Sequence, residues 1–392
     1  MNYILFDDKT RENLLPLTFT KPTAELRFGI LSIREKWEKH LNAKLSYLTE
    51  DYLSEKYSLQ IENENILING SVCPSPQLVS VISNLQPNQA LVAETSIIAC
   101  HLDKEGVRAF NGQHTSDYQR DEYQSELLKI SQPWDLFQKN GEAIQQDFDI
   151  LTKDRNSASI SSTNMILGND LFVEEGVSME HVIINSAKGP VYIGANVEIM
   201  EGSMIRGPFA ICNDSTLKLG TKIYGPTTIG PHSKVGGEIS NSIIMGYSNK
   251  AHDGFMGNSL VGEWCNLGAD TNTSNLKNNY GEVKIWSYSS NSFESTGLQY
   301  CGLIMGDHSK CGINTMFNTG TVVGVNANIF GSGFPSKHIP SFSWGISNDV
   351  KTFDFDKAIK LAKVVMKRRD INLEASEEKI LREIYNRTVK NH

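Results

Sequence analysis

The chain has 392 residues, 39% of them hydrophobic, and a formal net charge of −8. That length suits two domains and that apolar content fills ordinary cores, while the negative charge excludes a general attraction to nucleic acid or acidic membranes. No apolar run is long enough to span a bilayer, so no membrane insertion is expected.

Residues 1–155 read as an α/β domain. Tyr3-Ile4-Leu5-Phe6 is a short buried strand that ends in Asp7-Asp8. Ile30, Ile33, Trp37 and Leu41 fall at helical spacing. Strand-like runs follow at Leu45–Leu48, Ile66–Ile68, Ala90–Ala93 and Ile97–Cys100, and strands alternating with helical patterns indicate an α/β sheet. Ligands of such sheets sit beyond the carboxyl ends of the strands, which nominates Asp7, Asp8, Thr10 and Arg11. The Ser/Asn/Thr-rich run 156–164 opens a linker taken to reach residue 170.

Residues 171–345 carry a repeat. Large aliphatic residues recur every six positions at Ile193, Ile199, Ile205, Ile211, Leu217, Ile223, Ile229 and Val235. The phase then slips by two, to Ile243, Asn249 (a polar exception), Phe255, Val261 and Leu267. It returns at Met305, Cys311, Phe317, Val323 and Ile329. Such a period fits neither a helix nor one amphipathic strand. It fits a chain that turns a corner every six residues, three flat faces closing a triangular coil and stacked coils sharing one column of aliphatics. Gly, Asn and Asp suit the corners. The Asn/Ser/Tyr-rich segment 271–302 is an excursion from the coil. Residues 346–392 form a helical end, with Phe355, Ile359, Ala362 and Met366 on one side and Lys367-Arg368-Arg369 as a solvated face. The six cysteines are scattered without a C-x-x-C pair and read as reduced core residues. The amino terminus lacks the pattern of a signal peptide, which points to a cytoplasmic protein.

The repeat resembles the hexapeptide class, which implies a left-handed parallel β-helix and trimeric assembly. Thr10-Arg11-Glu12-Asn13-Leu14-Leu15-Pro16-Leu17-Thr18-Phe19-Thr20-Lys21-Pro22 resembles the signature of sugar-1-phosphate nucleotidyltransferases. Asp7-Asp8 stands where that family has phosphate-cradling glycines, two extra residues precede Pro16, and Lys21-Pro22 reverses the usual order. The resemblance implies that Arg11 and Lys21 stabilise triphosphate charge. It places Asn69, in Ile68-Asn69-Gly70, at the family's Mg²⁺-binding position, where an amide is a weaker ligand than a carboxylate.

Together the halves resemble the bifunctional family that makes UDP-N-acetylglucosamine, and more narrowly a divergent bacterial branch of it. In that family the β-helix transfers acetyl from acetyl-CoA to glucosamine-1-phosphate and the N-terminal domain transfers uridylyl from UTP. Lys250-Ala251-His252-Asp253-Gly254-Phe255-Met256-Gly257 resembles the stretch holding the acetyltransfer histidine. The match implies His252 as general base, Asn266 and Asn275 as ligands of the sugar phosphate, and the Ala269 N–H as a donor to the thioester carbonyl. An unperturbed imidazole, with pKa near ~6.5, is neutral enough near pH 7 to take a proton from an attacking amine. Phe255 replaces a family tyrosine, and Ser240 stands where a lysine is expected.

Three other readings remain open. In one, the helix serves only assembly or regulation beside a working nucleotidyltransferase. His232, His252 and His308 could bind zinc, as three histidines do across subunits in β-helix carbonic anhydrases. The chain could be a binding scaffold.

Overall fold

The structure is a computed structural model, and it describes residues 1–112, 118–346 and 350–389. It divides into two compact units. One holds residues 1–14, 20–26 and 31–132, the other residues 15–19, 27–30 and 133–392.

The first unit is built on a six-stranded sheet of order β2-β1-β3-β5-β4-β6. The strands are β1 Asn2–Phe6, β2 Leu45–Leu48, β3 Asn65–Asn69, β4 Gln89–Ala93, β5 Ser96–Leu102 and β6 Gln119–Glu122. The helices are α1 Thr10–Asn13, α2 Ile33–Leu41, α3 Pro76–Ser83 and α4 Lys104–Ala109. Helix α2 starts at Ser32 because the Ser32 hydroxyl accepts the Glu35 N–H while the Glu35 carboxylate accepts the Ser32 N–H, a reciprocal cap. It is pinned by Trp37, fully buried, whose indole N–H donates to the Val72 carbonyl at 2.8 Å. The β2-β1-β3 and β4-β6 pairings are parallel, as alternating elements suggest, but β5 runs antiparallel to both β3 and β4. Glu94 and Thr95 alone join β4 to β5, with Glu94 at φ 52°, and a turn that short permits only a hairpin. Phe6 is in register with both Leu48 and Asn69, so β1, β2 and β3 end level.

The second unit is the parallel β-helix. Three ladders of 8, 9 and 10 short strands form its first, second and third faces, visited in that order on each turn. The inward column Ile193, Ile199, Ile205, Ile211, Leu217, Ile223, Ile229 and Val235 is at most 2% exposed. Each such side chain contributes roughly 1.5–3 kcal/mol of burial. The first coil begins at Met165–Leu167, inside the stretch read as linker.

After Val235 the phase differs from the sequence reading. Ile229 pairs with Ile244, Val235 with Lys250 and Ile239 with Met256, so those residues point inward and Ile243, Asn249 and Phe255 point out. The coil loses three residues here, where the sequence reading had the phase slip forward by two, since strand partners 18 apart (211 to 229) become 15 apart (229 to 244). One shortened corner is Gly236-Gly237, where a Cβ on Gly236 would lie 2.6 Å from the Ala251 carbonyl oxygen.

Helices α5 Pro133–Gln138 and α6 Asn140–Thr152 were expected in the α/β domain, yet they belong to the second unit. Ile144, Phe148 and Leu151 join Ile30 against Phe172, Tyr192, Ala210 and Cys212 on the outside of the second face. Buried Asn140 accepts the Gly29 N–H at 2.9 Å and donates to Thr228 Oγ1 at 3.1 Å. An amphipathic helix follows the apolar surface it can cover, and that face supplies it.

The excursion contains a hairpin, Lys284–Ser287 against Ser292–Ser295. It folds back on its own solenoid, with Trp286 stacked on His338 at 4.2 Å. At the carboxyl end, α7 Phe355–Lys367 packs on α8 Ala375–Val389, and the Phe355 and Tyr385 rings meet Phe342 of the last coil. Arg369, expected on a solvated face, instead donates to the His232 carbonyl and to Asn249 Oδ1 at 3.1 and 2.9 Å. The six cysteines are buried and free, as expected for core residues. Among the described residues no helix is long and apolar enough to cross a membrane.

Candidate functional site

In the first unit the level strand ends bring Asp7, Asp8, Arg11, Thr49 and Asn69 together. Asp7 is enclosed. Its Oδ1 accepts the Thr23 N–H at 2.9 Å, its Oδ2 accepts the Thr49 hydroxyl at 2.5 Å, and Arg11 Nε lies 3.6 Å away. Burial pushes its carboxyl up, against the pull of Arg11, Thr49 and Thr23. Arg11 is 5% exposed and also donates to the Tyr52 hydroxyl at 2.6 Å. Lys21 is 5% exposed as well. Both expected triphosphate ligands are therefore buried within the unit.

Asn69 does not suit the metal role given to it. It is fully buried, and its Oδ1 already accepts the Ser71 N–H and hydroxyl at 3.0 and 2.6 Å. Its amide donates to Asp8 Oδ2 at 2.8 Å and to the Ile97 carbonyl at 3.0 Å. An amide oxygen has two lone pairs and both are taken. The sequence alone does not disclose that Ser71 supplies both donors. Asp8 is half-buried, and its carboxylate accepts the Thr10 N–H at 2.9 Å and the Asn69 amide. A carboxylate has about four lone-pair sites, so Asp8 is the hard oxygen donor here that keeps capacity for Mg²⁺.

In the second unit His252 sits on the corner between the third and first faces. The next coil repeats that corner at Ala269-Asp270, since Asp270 N–H donates to the Asp253 carbonyl at 3.1 Å. The coil after it follows through Asn314, whose N–H donates to the Ala269 carbonyl at 2.8 Å. His252 is exposed. Asn266 is exposed beside this corner, in register with Asn249, whose amide donates to it at 3.4 Å. His252, Ala269 and Asn266 thus share one edge of the solenoid.

Asn275 lies at the far edge of the first face, where its amide donates to Asn258 Oδ1 at 2.8 Å. Phe255 reaches across from the His252 side. A Cβ on Gly257 would lie 2.6 Å from both Phe255 Cζ and Asn275 Nδ2, so ring and amide converge over a bare backbone. Only glycine leaves room there for the ring and the amide to meet.

Behind His252 lies a residue that the sequence reading left unassigned. Lys250 points into the solenoid, 1% exposed, and its ammonium donates to the carbonyls of Gly236, His252 and Asp253 at 3.1, 2.7 and 3.3 Å. Burial pushes it down to about 8. A slip of three in the hexad phase would have placed it inward; the slip of two placed Asn249 there.

His232 and His308 do not join His252. They occupy the corner between the second and third faces, in a stack that runs His232, Tyr247, Trp264, His308, with centroid spacings of 4.9, 4.3 and 6.3 Å. Among the described residues no group of three or more His, Cys, Asp or Glu is placed to hold a metal. The zinc reading has no geometry within one chain.

The chain thus combines an α/β unit with a parallel β-helix that carries an exposed histidine corner. Residues 3–156 match the family described as sugar nucleotidyl transferase. The chain is similar to the bifunctional protein GlmU of Methanocaldococcus jannaschii, 28% identical over 225 residues, which cover 57% of this chain and 48% of that protein. It is similar to a bifunctional sugar-1-phosphate nucleotidylyltransferase/acetyltransferase of Sulfurisphaera tokodaii, 28% identical over 211 residues, 53% of this chain and 46% of that one. An uncharacterized acetyltransferase of Escherichia coli, YaiX, is 25% identical over 173 residues, 44% of this chain and 74% of its own. The chain spans about half the length of the two bifunctional relatives. The likeness to bifunctional proteins drawn from the sequence is thus borne out, at the distance of a divergent branch.

Proposed function

We propose that this chain is a transferase whose β-helix moves an acetyl group from acetyl-CoA to the amine of an amino sugar-1-phosphate. The observation that carries the reading is the shared edge of His252, Ala269 and Asn266. The unprotonated amine attacks the thioester carbonyl, His252 takes the proton the nitrogen sheds, and the carbon–sulfur bond breaks to release the thiolate. The Ala269 N–H donates to the carbonyl oxygen as charge develops on it. Asn266 and Asn275 orient sugar hydroxyls and phosphate. Because Asn275 stands at the opposite edge of the first face, a trimer would bring a neighbour's edge toward each His252.

The first unit then acts as a nucleotidyltransferase on the acetylated sugar phosphate, with UTP as donor, giving a UDP-N-acetylglucosamine-type precursor in the cytoplasm. Mg²⁺ would neutralise triphosphate charge there, held by Asp8 and the substrate phosphates, since Mg²⁺ is commonly bound by one or two carboxylates and phosphate oxygens. Asp7 keeps Arg11 oriented at the strand ends.

The test is release of free thiol from acetyl-CoA in the presence of glucosamine-1-phosphate, followed by UTP consumption on the product. Sugar-dependent thiol release supports the acetyl transfer. Its absence together with UTP turnover would support the alternative, a nucleotidyltransferase whose β-helix only assembles or regulates.

A further inference from the structure

We propose that Lys250 is a positioning residue for His252, holding from inside the solenoid the corner that presents the imidazole outward. This rests on the reading of His252 as the base. The column that Lys250 occupies is otherwise apolar: Val235 precedes it one coil back and Leu267 follows one coil on, both at most 2% exposed. A lysine in such a column is costly unless its donors are used. Here the ammonium's three N–H donors meet three carbonyls, one from the Gly236 corner of the coil before and two from the 252–253 corner itself.

The consequence is directional. With the carbonyls of His252 and Asp253 both drawn inward, the backbone on either side of Asp253 is fixed and the His252 side chain is left on the solvent side. The surrounding glycines make the arrangement tight. A Cβ on Gly237, at φ 80°, would lie 2.6 Å from the Gly254 carbonyl oxygen, and one on Gly254, at φ 116°, would lie 2.2 Å from that of Thr271. The Gly236-Gly237 step, where inward residues Val235 and Ile239 are only four apart, therefore abuts the corner that Lys250 ties. An aliphatic residue would fill the same volume and remove the ammonium from all three carbonyls, leaving that of Asp253 with the Asp270 N–H alone.

The charge on this lysine also titrates within reach of ordinary assays. Its ammonium is disfavoured by burial and favoured by Asp253, the Cys311 thiol and Asp270, the groups that face it. Loss of its proton near pH 8 removes one of the three donated bonds and loosens the corner from within.

The experiment uses the full chain, as parent, Lys250→Met and Lys250→Gln, the last keeping an amide donor. Two readouts are taken: kcat and KM for acetyl transfer to glucosamine-1-phosphate, and the pH titration of the His252 ring by nitrogen-15 NMR, assigned with His252→Ala. In Lys250→Met the expected result is a kcat lowered tenfold or more with KM for acetyl-CoA within twofold, and partial recovery in Lys250→Gln. The parent's His252 resonances should show a step near pH 8 that is missing in Lys250→Met. Parent-like kcat with unaltered ring resonances in Lys250→Met overturns the proposal. Should the parent itself not acetylate this acceptor, the reading of His252 as base fails separately. The ring titration then decides alone, and identical curves in parent and variant overturn the positioning role. If Lys250→Met does not fold, Lys250→Gln is judged by the same criteria.

Discussion

Asn275 donates its side-chain amide to Asn258 Oδ1 at 2.8 Å, and this pair stands one coil step apart on the edge of the first face opposite His252. The Asn275 amide and the Phe255 ring close over the bare Gly257 backbone, both 2.6 Å from where a Cβ would stand. Gly257→Ala puts a methyl group where those two movable side-chain ends lie, so the coil survives while the amide and the ring are displaced. The expected result is a KM for the amino sugar phosphate raised about tenfold, the equivalent of roughly 1.4 kcal/mol, with a melting temperature close to the parent's. Steady-state kinetics with a parallel thermal melt checks this. An unchanged KM would remove the Asn275 amide from substrate recognition.

Lys250 predicts a pH dependence of stability. Its folded value, about 8, lies below that of an unfolded lysine, near ~10.4. The folded state then binds fewer protons than the unfolded state between those values, so stability rises with pH across that window. Below about 8 the cost of the buried charge is fully present; above ~10.4 it is gone, and the full span is on the order of 3 kcal/mol. Urea unfolding of parent and Lys250→Met from pH 7.5 to 10 should show the parent gaining on the variant as pH rises. Parallel curves would place the lysine in a solvated setting.

The ring stack predicts a stability effect remote from the chemistry. His232, Tyr247, Trp264 and His308 all hold a left-handed backbone, with φ of 54, 53, 62 and 61°. Bulky residues avoid that conformation, so packing must hold them there. Trp264, 7% exposed, is the central ring. Trp264→Ala should cost about 3–5 kcal/mol, read by chemical denaturation. A loss below about 1 kcal/mol would show that the stack is incidental.

Arg11 and Asp7 predict a coupled pair. Arg11→Met leaves the Asp7 carboxylate buried without its cation, which costs about 3–5 kcal/mol where a buried pair is broken. The double variant Arg11→Met/Asp7→Asn should recover a good part of that, while nucleotidyl transfer falls in both. Additive losses in denaturation would mean that the pair is not coupled.

The repeat was the most legible part of the sequence, because one aliphatic side chain per face must point inward and the period records it directly from Ile193 to Val235. Legibility failed where the coil shortens. Gly236-Gly237 removes two residues and the Asn241 corner one more, and a hexad count blind to those steps exchanges Asn249 for Lys250. The first parallel strands were readable from apolar runs, but the β4–β5 hairpin was not, since Glu94-Thr95 carries no glycine signal. Asn69 looked like a ligand position by its place in the chain; only the Ser71 hydrogen bonds reveal that its oxygen is already in use. Helix α6 has the composition of either unit, and its partner is decided by the apolar outer surface of Phe172, Tyr192 and Ala210. In the same way the linker reading of 156–170 could not see that Met165–Leu167 pairs with Ile183–Asn185.

The central claim is acetyl transfer at the His252 corner. The most direct test compares parent and His252→Ala for thiol release from acetyl-CoA with glucosamine-1-phosphate, with acetyl-CoA binding measured in both. The account predicts sugar-dependent release by the parent, a loss of about 10²–10⁴ in the variant, and acetyl-CoA affinity kept. Equal turnover by the two proteins would contradict it.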